Sequence, residues 1–426
     1  MTKRTKHQPQ KAPLVVVALP FTHREGVDEY NGVMRYLRET RTEWDLRIVR
    51  CSFGVGLFRD FPVSEVSGVI CGMEFLPGIV SYEPYFPEDV LDLLARHDVP
   101  VVCLDVPFPL RGHGRGVRRA YLSVDSEQIG RKAAQVIAKA GEYASYGFVG
   151  AFEDRAWSRD RGAFFARELR ARGRRNVSIF QGGADSARRD AELVAWLRRL
   201  KRPAAVFASN DHCAANVLRL CSGAGLHVPE DFAVLGVDDD PIFCMHTRPT
   251  LSSLHPDFEA EGYQAARALA EFLEGRRPPA RMVVGGTVTS TERMSTAPSS
   301  PAGRLVRRAD EIIAERACKK LNAEMLASAL GISRRLLDMR YRQINGGSVR
   351  EAIEEARLAR AKELLSGTFL SHAEIARSCG YNSESYLEHV FVRRFGQSMS
   401  AFRGSGANGA AEERRDGGKT NGRKRS

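Results

Sequence analysis

The sequence predicts an α/β region with two lobes, followed by an all-α region with two helix-turn-helix units. Short apolar runs alternate with amphipathic helical stretches in two successive series before residue 297, and this alternation is typical of parallel sheets covered by helices on both faces. Farther along, one short pattern occurs twice with the same offset, from Ala327 to Ala376 and from Gly331 to Gly380. Such a repeat indicates two copies of one helical unit.

Length, charge and cysteine usage narrow the class of protein. At 426 residues the chain is too long for one ordinary core, so we expect two or three globular units. The formal net charge of +12 suits a partner with phosphate groups, although basic tails supply part of it. The eight cysteines are scattered without a CxxC pair, so we expect buried free thiols and neither a metal site nor a cofactor. The sequence has no signal peptide and no membrane-spanning run, which predicts a cytoplasmic protein without membrane contact.

The α/β region contains two series of strand candidates. The first series comprises residues 14–19, 47–51, 68–71, 101–105 and 120–124, and the second comprises residues 146–149, 177–180, 204–208 and 233–237. Two such series in tandem predict two lobes with a cleft between them. Ligands of open α/β sheets bind outside the carboxyl ends of the strands, so the cleft is the expected ligand site.

Motifs in the second series resemble a known family. They are Val206-Phe-Ala-Ser-Asn210-Asp211, Val228-Pro-Glu-Asp231, Val234-Leu-Gly-Val-Asp238-Asp239 and Pro249-Thr-Leu-Ser-Ser-Leu254. This pattern resembles the effector domain of LacI-type repressors, which is similar to periplasmic sugar-binding proteins. The resemblance covers residues 13–296 and implies a two-lobed, periplasmic-binding-protein-like sensor of type I. LacI-type proteins carry a DNA-binding headpiece in front, whereas only a basic tail, residues 1–12, precedes the first strand here; we expect it to be disordered.

A sugar site needs carboxylates, amides and guanidinium groups around an aromatic or apolar floor, because sugars are uncharged and rich in hydroxyls. Matching the sequence to the LacI-type pattern implies candidate ligand contacts at seven residues, which are His23, Asp125, Trp157, Arg159, Arg161, Asn210 and Asp238. His23 lies with Phe21 and Arg24 in the loop that closes the pocket from the other lobe in this family. Only one of Arg159 and Arg161 is expected to grip ligand oxygens, and the other to lie on the surface.

Some of these residues have a second interpretation as helix caps. Asp125 could equally cap the following helix, and Asp238 could cap the segment after it, although we favour a ligand contact for Asp238. Asp239 is then expected to be the cap. Asp211 is expected to cap a helix that begins at His212.

A change in composition marks the end of the sensor. Residues 297–303 include Pro298, Ser299, Ser300 and Pro301, which is typical of a short linker. The all-α region is predicted to span residues 304–403. A Gly-rich basic tail, residues 404–426, follows and is expected to be disordered.

The repeated pattern has the residues that a helix, a tight turn and a second helix require. Ala327 lets the helices approach, Gly331 takes a left-handed turn position, and Ser333 caps the next helix; the second copy ends in Ser383. Capping boxes begin two further helices, at Ser348-Val-Arg-Glu351 and at Ser371-His-Ala-Glu374.

This region closely resembles the DNA-binding domain of AraC-type transcription regulators. The resemblance runs through Ile332-Ser333, Arg357-Leu358, Glu374-Ile-Ala376, Cys379-Gly-Tyr381 and Phe395-Gly396, but Ser398-Met-Ser400 departs from the usual ending, which contains proline. It implies that Leu337, Tyr341, Leu387, Phe391 and Phe395 form core, and that the two recognition helices contact bases or phosphates through Arg334, Arg335, Asp338, Met339, Arg342, Ser385, Glu388, His389, Arg393 and Arg394. Arg335 is the strongest candidate base contact, since arginine binds guanine at two atoms.

The order of the two regions resembles that of the bacterial xylose-operon regulators. This resemblance implies a transcription regulator of sugar catabolic genes, controlled by a sugar effector, D-xylose first. The expected partners are double-stranded DNA half-sites, the sugar, a second copy in a homodimer, and RNA polymerase. No catalytic motif is present, so we predict that the chain is not an enzyme. The alternatives are another pentose, a sugar acid, an enzyme-like or nucleotide-sensing α/β domain, or a sensor that only dimerises.

Overall fold

The computed structural model describes residues 12–49, 62–76, 81–84, 93–104, 118–152, 155–181, 186–297, 300–368 and 370–403. Both predicted tails, except Ala12, lie outside these residues. So do Pro298 and Ser299 of the predicted linker and the predicted strand ends at 50–51 and 105. The chain divides between Ala297 and Pro298 into two compact units. None of the described helices has the length and apolar character needed to span a bilayer.

The strands of the first unit form where the chain has short apolar runs, with additions that the sequence did not indicate. Their bounds are β1 Leu14–Ala18, β2 Asp45–Val49, β3 Val66–Cys71, β4 Met73–Leu76, β5 Ser81–Pro84, β6 Val101–Leu104, β7 Arg119–Val124, β8 Ser145–Val149, β9 Val177–Phe180, β10 Ala204–Ala208, β11 Phe232–Val237, β12 Ser252–His255, β13 Arg281–Val284 and β14 Thr289–Thr291. The nine predicted strands are all present. Strands β4, β5, β12, β13 and β14 were not predicted.

The described strands build two six-stranded sheets and one short hairpin, β4–β5. The first sheet has the order β13-β7-β6-β3-β1-β2, and its neighbouring strands are all parallel. The second has the order β14-β12-β11-β10-β8-β9 and is parallel except for the pairing of β12 with β14. Each sheet is the centre of one lobe, so the predicted two-lobed α/β fold is confirmed.

The helices of the first unit cover the faces of these sheets. Their bounds are α1 Arg24–Thr40, α2 Ser126–Ala140, α3 Ala156–Ala171, α4 Ser186–Arg199, α5 Asp211–Gly223, α6 Pro241–Cys244 and α7 Phe258–Leu273. In the first lobe α1 packs against α7, where a Cβ on Gly32 would lie 2.0 Å from the Glu259 carbonyl oxygen. Only glycine permits that approach. In the second lobe α2 and α3 cover one face of the sheet, where they pack on Phe148 of β8 and Phe207 of β10. Helices α4 and α5 cover the other face.

The register of the second sheet positions the cleft residues. Ala204 of β10 pairs with Phe232 of β11 and with Ser145 of β8, all in parallel. The carboxyl ends of these strands therefore lie at the same edge. Asn210 and Asp238, which follow β10 and β11, are brought to this edge.

The second unit is all-α, as predicted. Its helices are α8 Pro301–Arg316, α9 Ala323–Ala329, α10 Arg334–Asn345, α11 Val349–Gly367, α12 His372–Ser378 and α13 Glu384–Phe395. Residues 301–303, predicted as linker, instead begin α8. Ser300 accepts a hydrogen bond from the Gly303 amide and Pro301 takes the first helical position, where its missing N–H and fixed φ cost nothing.

Candidate functional site

The carboxyl edge of the second sheet faces the loop between β1 and α1. Of the seven predicted ligand residues, His23, Asn210 and Asp238 line one cavity there, of about 30 Å³. Its other lining residues are Glu25, His212, Asp240 and Phe243. A cavity of this size has room for water, but it is far below the several hundred Å³ of an ordinary ligand pocket.

The predicted cap at Asp211 is wrong, because Asn210 caps α5. The Asn210 side-chain oxygen accepts a hydrogen bond from the Cys213 amide at 3.0 Å. Asp211 is buried beneath the cleft, where its carboxylate accepts hydrogen bonds from Ser253 Oγ at 2.6 Å and from the Asp240 amide at 2.9 Å. Burial raises the pKa of Asp211 to about 7, against the lowering effect of these hydrogen bonds.

The predicted cap at Asp239 is also wrong, because Asp240 caps α6 by accepting from the Ile242 amide at 2.9 Å. Asp239 lies between two arginines, 2.7 Å from Arg24 Nη1 and 2.8 Å from Arg293 Nη2. Asp238 and Asp239 both have positive φ, 107° and 51°. Non-glycine residues seldom adopt this conformation, and such strain is concentrated at functional sites.

Polar contacts to carboxylates cross the cleft between α1 with its preceding loop and the second lobe. His23 Nδ1 lies 3.0 Å from Asp240 Oδ2, and Arg24 binds Asp239. A third contact joins Asp28 Oδ2 to His255 Nε2 at 3.3 Å. We call these contacts the interlobe latch. They hold the two lobes together in this structure, consistent with the small cavity.

Aromatic rings form one wall of the cleft. Phe243 is stacked with His23, with ring centroids 6.2 Å apart, and with His212 at 5.5 Å. Phe152 meets His212 edge-on at 4.8 Å. Burial lowers the pKa of His212 to about 4, so its imidazole is neutral near pH 7. The wall therefore offers apolar ring faces beside hydrogen-bonding groups, which suits an uncharged polyol.

Asp125 and Trp157 lie along a different cavity, of about 490 Å³, with Asp160, Phe164 and Arg281 among its lining residues. Asp125 accepts a hydrogen bond from the Gln128 amide at 3.0 Å. It therefore caps α2, as its second interpretation proposed.

Arg159 and Arg161 differ in how far they are buried. Arg161 is buried, donates from Nη1 to the Ser209 carbonyl oxygen at 2.7 Å, and lies 4.6 Å from the Trp157 ring. It ties α3 to the segment before Asn210. Arg159 is exposed on the same helix.

Four residues that line this cavity, Glu25, His212, Asp240 and Phe243, were not identified from the sequence, and for Asp240 a signal was present. That signal is the run of three aspartates at 238–240, which is more acidic than a single helix cap requires. The sequence could not show that the third aspartate reaches His23, because that contact joins residues 217 positions apart.

The second unit contains the two predicted helix-turn-helix units, α9–α10 and α12–α13. Ser333 and Ser383 cap the recognition helices, and both predicted capping boxes are present. The predicted core is confirmed: Leu337, Tyr341, Leu387 and Phe391 are buried, and the partly buried Phe395 packs against the cluster that contains Leu387 and Phe391.

The predicted contacts of the first recognition helix lie together on its surface. Arg334, Arg335, Asp338, Met339 and Arg342 line one shallow depression. Arg335 and Met339 are exposed, whereas Arg334 is ion-paired with Glu324 and lies 3.6 Å from the Asp338 carboxylate. This face presents a guanidinium and an apolar thioether, which suit guanine and a thymine methyl group.

The second recognition helix is different. Ser385 and His389 are exposed. Glu388 is partly buried, and its carboxylate accepts from the Met399 amide at 3.4 Å. A proline there would lack that amide, so the unusual ending at 398–400 explains this contact.

Two family models match the chain. The periplasmic binding protein-like domain matches residues 134–296, and the helix-turn-helix domain matches residues 326–405. These matches fall in the first and second units respectively.

Named regulators are among the relatives of the chain, and one of them matches over both units. The chain is 26% identical to the xylose operon regulatory protein of Escherichia coli K12 over 405 residues, which cover 91% of this chain and 96% of that protein. The Haemophilus influenzae protein of the same name is 28% identical over 289 residues, 66% of this chain and 74% of that protein. The solved structure of a xylose-binding transcription activator aligns with a TM-score of 0.52 at 24% identity, covering 93% of this chain and 98% of that chain, which supports the fold.

Proposed function

We propose that this chain, a homologue of the xylose operon regulators with a periplasmic-binding-protein-like domain before an AraC-type helix-turn-helix domain, is a one-component, sugar-responsive transcription regulator. The observation that carries the proposal is similarity to a named regulator over 91% of the chain, with both domains in the same order. A match to either domain alone would leave the link between sensing and DNA binding unsupported.

The sugar binds between the lobes, and D-xylose is the first candidate because the relatives named above are xylose regulators. Asp238 accepts hydrogen bonds from sugar hydroxyls, the Asn210 side-chain amide donates one to them, and Phe243 packs against the sugar ring. Because the cavity is only about 30 Å³, the lobes must separate to admit the sugar and then close around it.

Sugar controls DNA binding only if one state of the sensor binds it more tightly than the other. We propose that the sensor pairs with a second copy, so that two helix-turn-helix domains, one from each copy, bind two half-sites. RNA polymerase is then the partner that responds to the regulator bound at these half-sites. No turnover of the sugar is part of this function, and the relatives are named as regulators.

The test is a thermal-shift screen of the full chain against neutral pentoses, hexoses, sugar acids and nucleosides. A sugar at a hundred times its dissociation constant adds about 2.7 kcal/mol to stability, a visible shift. Asp238→Ala should abolish the D-xylose shift. Asp190→Ala, which removes a surface carboxylate paired with Arg219, should keep it.

A shift with a nucleoside and none with any sugar would contradict the proposal. A shift with a different pentose would keep the regulator and change only its effector. A sugar acid is less well supported, because Arg161, one of the two arginines expected to bind it, is buried against Ser209 and Trp157.

A further inference from the structure

Two consecutive arginines at the end of the second recognition helix are each held by a glutamate of α11. Arg393 Nη2 lies 2.6 Å from Glu354 Oε1. Arg394 makes a two-point contact, with Nε and Nη2 at 2.9 and 3.0 Å from the two carboxylate oxygens of Glu355. Both arginines were predicted as phosphate contacts. Each guanidinium group is nevertheless already bound to a carboxylate of the same chain.

Folding gains only modestly from these pairs. The two arginine side chains are 63% and 55% exposed and their glutamates 25% and 54%, so water and salt screen much of the attraction. On the first recognition helix Arg334 is likewise paired, with Glu324, whereas the neighbouring Arg335 is exposed and lines the shallow depression formed by the predicted DNA contacts. Paired arginines thus occur in both helix-turn-helix units, and at the end of α13 both arginines are paired.

A carboxylate and a phosphate compete for the same donors of a guanidinium. Both accept two parallel N–H bonds from its planar fork. To bind a DNA phosphate with the same donors, Arg393 or Arg394 must leave its glutamate, which then takes up a counterion from solution. That uptake offsets the counterion released from DNA, so a paired arginine adds less affinity than a free one.

We propose that Glu354 and Glu355 act as intramolecular competitors of DNA phosphate. They thereby limit the affinity of the second helix-turn-helix unit, α12–α13, for DNA of any sequence. The inference rests on the proposed DNA-binding function. Phosphate contacts dominate the binding of a protein to non-specific DNA. In a chain with net charge +12, such competition therefore reduces the fraction of the protein that is bound to non-specific DNA.

The test compares two double variants of the full chain with equal charge change. Glu354→Gln with Glu355→Gln releases both arginines. Glu315→Gln with Glu363→Gln removes two exposed carboxylates that pair with Arg316 and Arg360, outside the recognition helices. Binding is measured by fluorescence anisotropy on a labelled duplex of scrambled sequence over a salt series, and on a duplex selected from a randomised pool by the wild type.

Releasing the arginines should raise affinity for scrambled DNA roughly three- to tenfold at low salt. It should also steepen the dependence of log affinity on log salt by up to about 1.8, since each phosphate contact adds about 0.9. The selected duplex should gain by a similar factor, because phosphate contacts carry no sequence information. The control double variant should change less, with an unaltered slope.

Equal gains in the two double variants would overturn the inference, since the long-range charge alone would explain them. Weaker binding to the selected duplex would also overturn it and would instead make the glutamates positioning residues for Arg393 and Arg394. If the wild type binds neither duplex, the proposed function fails and the inference with it; if the wild type binds and only the variants disagree, the inference alone fails. Circular dichroism of each variant checks that the helices remain folded.

Discussion

Asp211 and His212 are neighbours in the chain whose protonation affects folding in opposite directions. Burial raises the pKa of Asp211 to about 7 and lowers that of His212 to about 4. From about pH 4 to 6.5 the folded chain keeps the Asp211 proton that the unfolded chain has lost, so this residue makes stability fall as pH rises. His212 is neutral in the folded chain but protonated in the unfolded chain, so its contribution makes stability rise with pH.

Single variants should therefore separate two opposing contributions to the dependence of folding stability on pH. Relative to wild type, Asp211→Asn should gain stability as pH rises from about 4.5 to 6.5, and His212→Phe, which keeps a ring against Phe152 and Phe243, should lose it. Each slope is bounded by about 1.4 kcal/mol per pH unit for one proton. Urea unfolding followed by tryptophan fluorescence reports the first unit, since Trp44, Trp157 and Trp196 all lie there. Parallel pH profiles for wild type and both variants would contradict the assignment.

At the scale of single elements, apolar patterning predicted nine of the described strands, including the edge strands β2 and β9. It could not indicate β12 and β14, because Ser252–His255 and Thr289–Thr291 are polar runs whose strand conformation comes from pairing with distant segments. Helix starts were predicted well where the cap and its partner are three residues apart, as at Ser371 and Glu374. Contacts between distant residues, such as Arg394 with Glu355, leave no local signal.

The two helix-turn-helix units show how a shared motif can hide different surroundings. Gly331 and Gly380 occupy equivalent turns, with φ of 67° and 78°. A Cβ on Gly331 would meet nothing within 4 Å, whereas one on Gly380 would lie 2.7 Å from the Cys318 carbonyl oxygen. The sequence predicted the left-handed turn in both, but it could not predict that the Cys318 backbone lies against the turn of the second unit and not against that of the first.

The cost of adding a methyl group should therefore differ between these turns. Gly331→Ala should lose about 1 kcal/mol through the left-handed backbone, and Gly380→Ala should lose roughly 1 to 3 kcal/mol more through the clash. Hydrogen exchange with mass spectrometry measures this locally, through lost protection in residues 323–345 for the first variant and in residues 372–395 for the second. Equal losses would mean that the Cys318 backbone moves aside at little cost.

At the scale of the whole first unit, the balance between open and closed lobes depends on the interlobe latch. Its arginine and histidines bind carboxylates that belong to the other lobe, through His23–Asp240, Arg24–Asp239 and Asp28–His255. Asp239 stays paired with Arg293 within its own lobe when Arg24 is removed. Arg24 also pairs with Asp28 on its own helix at 3.4 Å, and Asp28 keeps its contact with His255. Loss of Arg24 thus breaks a contact between the lobes while each of its two carboxylates keeps another partner, which makes it a direct test of closure.

Arg24→Ala should raise the population of the open form in the absence of sugar. Hydrogen exchange should then accelerate in residues 209–213 and 238–244, which face α1 across the cleft, while the strands behind them keep their protection. Arg35→Ala is the matched control, because Arg35 is on the same helix with the same 37% side-chain exposure but pairs with Glu259 inside the first lobe. Faster exchange in the control, or none in Arg24→Ala, would mean that packing and not the latch holds the lobes closed. If the latch holds, sugar binding competes with it, and Arg24→Ala should also speed association of the sugar, since entry requires the open form.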